Sequence, residues 1–198
     1  VLEFCPSNLV NEIEHGSLSN VTIIQYIYQI AEGMKFIHSK NIIHRDIKPN
    51  NLLISEDGLI KIADFGISKV MSDEEQRSMT CVIGTREYMA PEILDEDEYN
   101  EKADVYSFGV VLYYILTGGQ LPRIKLSDLF KRKKPTLPSS LTDFAKSLID
   151  KCMDYDSNER PSFESILDEL AKNHYHLVPL NDVKFLRLQI SSKNTKIK

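Results

Sequence analysis

No two of the three cysteines, Cys5, Cys81 and Cys152, lie near one another in the sequence, none stands in CxxC spacing, and their number is odd. A disulfide framework and a zinc site are thereby excluded, and buried thiols in a reducing, cytoplasmic (intracellular) setting are expected. No apolar run is long enough to cross a bilayer. The longest, Phe108 to Leu116, falls far short of the roughly 20 residues that a spanning helix needs. No surplus of positive charge exists: the formal net charge is −5 and the lysines and arginines are scattered, which excludes a nucleic-acid footprint and a polybasic membrane patch. No initiator Met and no charged region before an apolar signal core open the chain. It starts instead on "VLEFCP", which reads as the end of a buried strand, so a cut from a larger polypeptide is expected. Neither an internal repeat nor a low-complexity segment is present.

What is present is the composition of an ordinary globular domain, 42% hydrophobic and 27% charged. Ile23, Ile27, Ile30, Met34 and Ile37 recur at helical spacing after Ser19, a candidate N-cap, and predict a long amphipathic helix ending near Lys40. "NLLI" and "LIKIAD" predict two short strands, and the Asp-Gly pair of "SEDG" between them predicts a hairpin. The polar, aperiodic stretch from Ser68 to Glu92 is longer than an ordinary connection, and loops of that length tend to be functional. "EKADVYSFGVVLYYILTGG" is apolar nearly all round and predicts a buried central helix stopped by Gly118 and Gly119. Ser140 and Asp143 stand in capping-box spacing before another helix, and Pro161 followed by "SFESILDELAK" opens a further helix with Pro near its start. From residue 174 onward the helical period is lost and lysines accumulate, which predicts an extension beyond the domain. The chain therefore reads as mainly α with a small β-hairpin.

Between the long helix and the hairpin lies "IIHRDIKPNNLLI", which sets polar groups inside an apolar sleeve. In a tight loop held by Pro49, the side chains of Asp46, Lys48 and Asn51 can converge on one small volume. An Asp beside a Lys stays ionised, because the opposite charge favours its charged form. Asp46 can then accept or orient a hydroxyl proton, while Lys48 compensates anionic charge. Asn51 and Asp64, the latter in "DFG" at a strand end, offer oxygens to a hard cation. Two such ligands suit magnesium, which keeps waters and takes its remaining oxygens from phosphates. A lone His-Arg-Asp or Asp-Phe-Gly is an ordinary tripeptide. "HRDIKPNN", a hairpin, "DFG" and then "APE" after a long loop, in that order, form a specific set.

That set resembles the eukaryotic protein kinase family over residues 1 to about 173. The resemblance implies a protein-kinase-like large (C-terminal) lobe with a hinge at 1–6, a catalytic loop at 44–51, an activation segment at 64–92 and an extension at 174–198. It implies transfer of the ATP γ-phosphate to Ser or Thr of a protein substrate, with Asp46 as catalytic base, Lys48 at the transferred phosphate, and Asn51 and Asp64 as Mg2+ ligands. Lys48 and Thr85 match the serine/threonine branch, and "DVYSFGVVLYYILTGG" looks most like its tyrosine-kinase-like group. Leu2 would then guard the adenine pocket. The backbone of Glu3 and Cys5 would meet the adenine edge, and Leu53 would lie under its face. His44 and Phe65 would stack beneath the site, and Asp104 would anchor the catalytic-loop backbone, a plain capping role being the alternative. Glu92 and Arg160 would form a buried ion pair, and Arg45 would grip a phosphate on the activation loop, with Ser78 and Thr80 the candidates and Ser72 behind them.

None of the eight glycines forms GxGxxG, and no strand Lys or partner helix Glu that would grip ATP phosphates is found in these residues. The small β-rich lobe is thus expected to lie outside the chain. The 198 residues alone are expected to be essentially inactive, and the lobe interface around Leu2, Leu53 and Phe65 is expected to be an apolar patch that favours self-association. A pseudokinase scaffold that keeps the fold for binding partners is the alternative. The discriminating feature would be a strand Lys and a helix Glu in the preceding segment.

Overall fold

The computed structural model describes residues 3–16, 18–66, 69–70, 85–95, 98–123 and 133–179. Leu2, Ser72, Ser78, Thr80 and Cys81 lie outside the described residues. Strand β1 (Ser7–Asn8) leads directly into helix α1 (Leu9–His15), whose first turn is capped by the Asn8 side chain accepting from the Asn11 N–H. Helix α2 (Asn20–Ser39) begins at the Ser19 cap that the sequence marks, with the Ser19 hydroxyl accepting from the Thr22 N–H at 3.1 Å. Its buried stripe runs through Ile24, Ile27, Ile30, Met34 and Ile37. Ile23 is only half-buried, one position off the face that meets the core.

Strand β2 (Ile42–Ile43) follows, then a single 3-10 turn (Pro49–Asn51), then the hairpin of β3 (Leu52–Ile54) and β4 (Ile60–Ile62). The hairpin pairs Leu52 with Ile62 and Ile54 with Ile60, and Gly58 takes the positive φ of +72° that its turn requires. β1 adds to the other edge of β3, giving an antiparallel order β1-β3-β4. Lys69–Val70, which the sequence places inside the long loop, instead forms strand β5, antiparallel to β2. The predicted "small hairpin" is therefore one part of a small three-stranded sheet beside a two-stranded ribbon.

The short helix α3 (Pro91–Leu94) precedes α4 (Lys102–Leu116), in which every residue from Ala103 to Ile115 is buried. No polar stripe is needed on α4 because it runs through the core rather than along it. It stops as predicted, with Gly118 and Gly119 at φ +66° and +92°. Helix α5 (Asp143–Cys152) crosses α4 at Gly109, where an added Cβ would lie 2.7 Å from Met153 Cγ and 2.8 Å from Cys152 Cβ. Gly109→Ala is therefore expected to destabilise the protein by about 1–3 kcal/mol through overpacking, against a helix-propensity gain of about 1 kcal/mol. A urea midpoint that does not fall would show that α5 can move away at no cost.

Two capping expectations are corrected. Thr142, not Ser140, caps α5, its hydroxyl accepting from the Ala145 N–H at 3.1 Å. Ser162 caps α6 (Phe163–Asn173), so Pro161 lies just outside the helix rather than in its first turn. Helix α6 packs on α2. Beyond it, Leu177 and Val178 are buried in the same core, and the Asn20 amide donates to the Pro179 carbonyl, so residues 174–179 are part of the packed body. Cys152 is fully buried, which pushes its thiol up to about 12, while Cys5 is partly exposed.

Candidate functional site

The segment from His44 to Asn51 is tied to the centre of the fold by one carboxylate. Asp104, fully buried in the first turn of α4, accepts from the His44 N–H at 2.9 Å and from the Arg45 N–H at 2.8 Å. A third bond comes from the His38 ring nitrogen Nε2, at 2.8 Å. A buried carboxylate left without such partners would be very costly, so this triple bonding fixes the loop on a rigid helix. Arg45 sits at φ +70° and Asp64 at +65°, a backbone region that costs L-residues roughly 1–2 kcal/mol. Such strain persists where the surroundings over-determine it and clusters at functional sites. Among the described residues only Asn41 shares it outside glycine.

The His44 imidazole is buried, and burial pushes its pKa below the ordinary value despite the carboxylates of Asp104, Asp46 and Asp64 nearby. The neutral ring donates from Nε2 to the Ala63 carbonyl at 3.0 Å and accepts at Nδ1 from the Asp46 N–H at 3.3 Å. Its edge meets Phe65, with centroids 4.9 Å apart. His44 thus joins the polar loop to the end of β4.

Asp46 is the focus of the polar groups. Its Oδ2 lies 2.6 Å from Lys48 Nζ and accepts from the Asn51 amide at 2.9 Å. Its Oδ1 accepts from both the backbone N–H and the hydroxyl of Thr85, each at 3.2 Å. Lys48 also donates to the Thr85 hydroxyl at 2.7 Å, closing the ring. Burial alone would raise the Asp46 pKa, but hydrogen bonds from Lys48 and Asn51, the Lys48 charge and the Thr85 hydroxyl outweigh it and hold the carboxyl below its ordinary range. The second proton of the Asn51 amide goes to the Asp46 carbonyl at 2.8 Å, so its Oδ1 is left facing away as an acceptor.

Asp64 stands next to Ala63, whose N–H donates to the Asn51 carbonyl at 2.9 Å, and it is exposed. The Asn51 oxygen and the Asp64 carboxylate are two hard donors on adjoining backbone segments. Among the described residues no cluster of three or more His, Cys, Asp or Glu could hold a metal by itself. Leu53 is half-buried at the middle of β3, opposite Asn8 and Lys61, and Glu3 reaches Lys61 at 3.1 Å. Phe4 and Phe65 are both exposed aromatics.

Glu92 and Arg160 form a two-point pair at 2.6 and 2.7 Å. The Arg45 guanidinium lies over the Tyr99 ring at 5.6 Å. Sequence reasoning missed two residues here. His38 had a weak signal, four positions after Met34 on the buried face of α2. Thr85, expected only to line a substrate site, closes the Asp46 ring, which no spacing rule could show across 39 residues. No helix among the described residues is long and apolar enough to cross a membrane.

Comparison with known proteins gives a family. The family model described as "Protein kinase domain" matches residues 1–170. A probable serine/threonine-protein kinase of Dictyostelium discoideum is 40% identical over 187 residues, covering 87% of this chain and 14% of that protein. The serine/threonine-protein kinase STY46 of Arabidopsis thaliana is 36% identical over 182 residues, covering 87% of this chain and 31% of its own. The serine/threonine/tyrosine-protein kinase HT1 of the same plant is 36% identical over 169 residues, covering 82% and 43%. The chain thus spans less than half the length of each of these relatives. A loop anchored on a buried Asp, an Asp-Lys-Asn-Thr ring at its end and a match over residues 1–170 agree: this chain belongs to the protein kinase domain family.

Proposed function

We propose that the chain is the large, C-terminal lobe of a protein serine/threonine kinase, residues 1–173 plus an extension, which positions a protein Ser or Thr hydroxyl for phosphoryl transfer from ATP. The observation that carries this reading is the Asp46 ring. Ionised and held by Lys48, Asn51 and Thr85, Asp46 is placed to orient a hydroxyl and take its proton.

A carboxylate offers about four acceptor positions, and Lys48, Asn51 and the two Thr85 donors already take four. An incoming substrate hydroxyl therefore replaces the Thr85 hydroxyl on Oδ1, the contact most easily released because a hydroxyl can rotate. Lys48 would move its charge from Thr85 toward the transferred phosphate. Asn51 through its free Oδ1, and Asp64 through its carboxylate, would hold Mg2+, which when bound neutralises phosphate charge. The backbone of Glu3 and Cys5, with Leu53 beneath, would receive the adenine. Thr85 would line the position after the acceptor residue, and Arg45 would answer a phosphate at Ser78 or Thr80. A scaffold that only binds partners has no chemical need for Asp46, Lys48, Asn51 and Asp64 together.

Phosphoryl transfer depends almost wholly on positioning and charge stabilisation, and these 198 residues hold only half of the clamp. The exposed Phe4 and Phe65 support a face that meets a small lobe or a second copy. With ATP, Mg2+ and a Ser/Thr protein substrate, the chain alone is expected to give background transfer. A longer chain carrying a Gly-rich loop, strand Lys and helix Glu is expected to be active. A robust Asp46-dependent rate from the 198 residues alone contradicts the lobe assignment.

A further inference from the structure

Charge is divided unevenly along the chain. Residues 180–198, which lie outside the described residues, carry Lys184, Arg187, Lys193, Lys196 and Lys198 against a single acid, Asp182, a balance of +4. With −5 for the whole chain, residues 1–179 therefore carry −9. The same stretch is also apolar, and "KFLRLQI" places Lys184, Leu186 and Leu188 at alternate positions, which share one side of an extended chain.

This tail leaves the packed body at the start of α2, where the Asn20 amide donates to the Pro179 carbonyl at 3.3 Å. Helix α6 runs antiparallel to α2, since Tyr28 meets His174 and Lys35 meets Glu164. On α2, Glu32 is exposed, and four residues on, along the same side of the helix, Phe36 is 64% exposed with the Lys40 ammonium over its ring at 5.4 Å. On α6, Glu164 and Asp168 are exposed. The bond from Lys35 to Glu164, and the charges of Glu164, Asp168 and Glu32, hold the Lys35 ammonium above its ordinary range. Three carboxylates thus share one cation, and the ridge can take another.

We propose that residues 180–198 dock back along the outer ridge of α2 and α6, with Lys184 at Glu32 and Asp168 and Leu186 on the Phe36 ring. Lengths support this register. Glu32 lies about 18 Å along α2 from Asn20, and an extended chain brings Lys184 about 17 Å from Pro179. Phe36 lies about 24 Å along the helix, and Leu186 reaches about 23 Å. Alternation then sets Lys184 and Leu186 on the side that faces an acid and an exposed ring in the same order. Exposed ion pairs are individually weak, but a tethered segment meets its surface at high effective concentration, so a few such contacts suffice.

The test is zero-length coupling of amines to carboxylates by a carbodiimide on the full 198-residue chain, mixed half and half with heavy-nitrogen-labelled chain, followed by peptide mass mapping. Lys184 is expected to couple to Glu32 or Asp168 within one chain. The yield should fall several-fold at about 1 M salt, where the screening length shrinks to about 3 Å. Leu186→Ser leaves every reacting group in place and should also lower that yield several-fold. Coupling of Lys184 to acids spread over the body in proportion to their exposure overturns the docking site. Products that join labelled to unlabelled chains make a second copy the occupant and overturn the fold-back. A yield indifferent to salt overturns the role of charge, and one unchanged in Leu186→Ser overturns the register on Phe36.

Discussion

Replacing Glu92 with Ala is expected to destabilise the protein by about 3–5 kcal/mol, read as a fall in the urea midpoint at unchanged slope. Arg160 is 1% exposed and packs over the Tyr106 ring at 5.1 Å, so its guanidinium has no water to turn to once the carboxylate is gone. Its remaining bonds go to the carbonyls of Asp154, Lys102 and Tyr155, which satisfy three of its five protons and do not neutralise its charge. Removing one partner of a buried pair is costly for that reason, whatever the pair contributes net. Arg160→Met should cost at least as much, because the three carbonyls and Glu92 are then left together. By contrast, parting Lys35 from Glu164 on the surface should leave the midpoint where it is, since water replaces each partner. A loss below about 1 kcal/mol for Glu92→Ala would mean that Arg160 escapes to solvent.

Asp46→Asn is expected to lower the turnover of an active longer chain by roughly 10²–10⁴-fold, the range of a lost proton acceptor, while leaving the fold in place. Asn keeps the shape and can still accept from Thr85, but it cannot take a proton or pair with Lys48. A structural role alone would instead show as lost stability with kcat retained, so kcat and the urea midpoint should be measured on the same variant. The pH dependence follows from the depressed carboxyl. Asp46 is ionised at neutral pH, and the stabilisation from its ring is fully present above the ordinary carboxylate range. It is lost as pH falls through the lower value of the folded state, because protonation must then break the bonds from Lys48 and Asn51. Asp46→Asn should flatten that acid loss, and an unchanged acid profile would place the loss elsewhere.

The convergence of the polar groups was legible because it is written locally. Asp46, Lys48 and Asn51 lie within six residues, and Pro49 limits how the loop can run, so their convergence followed from spacing. Helices α2 and α4 were legible from the number of their apolar positions, and the hairpin from Asp-Gly. The fine placement was not. Ser140 and Thr142 are both reasonable caps, and the choice between them falls to the Thr142 hydroxyl, which also donates to the His176 carbonyl. Pro161 likewise fits either side of a helix start until Ser162 takes the cap. Strand β5 exists because β2 offers it an edge, and two residues carry too little pattern to announce that.

By itself, the sequence determined the protein kinase family, the ordered set of polar groups and the buried character of the central helix, since each depends on residues a few positions apart. Tertiary structure decided what no spacing encodes. It brought Thr85 onto Asp46, set Asp104 and His38 behind the loop from His44 to Asn51, and sealed Arg160 against Glu92 across 68 residues. Contacts between distant segments depend on how whole helices pack. Packing is fixed by the sum of many apolar fits, which no single stretch of sequence carries.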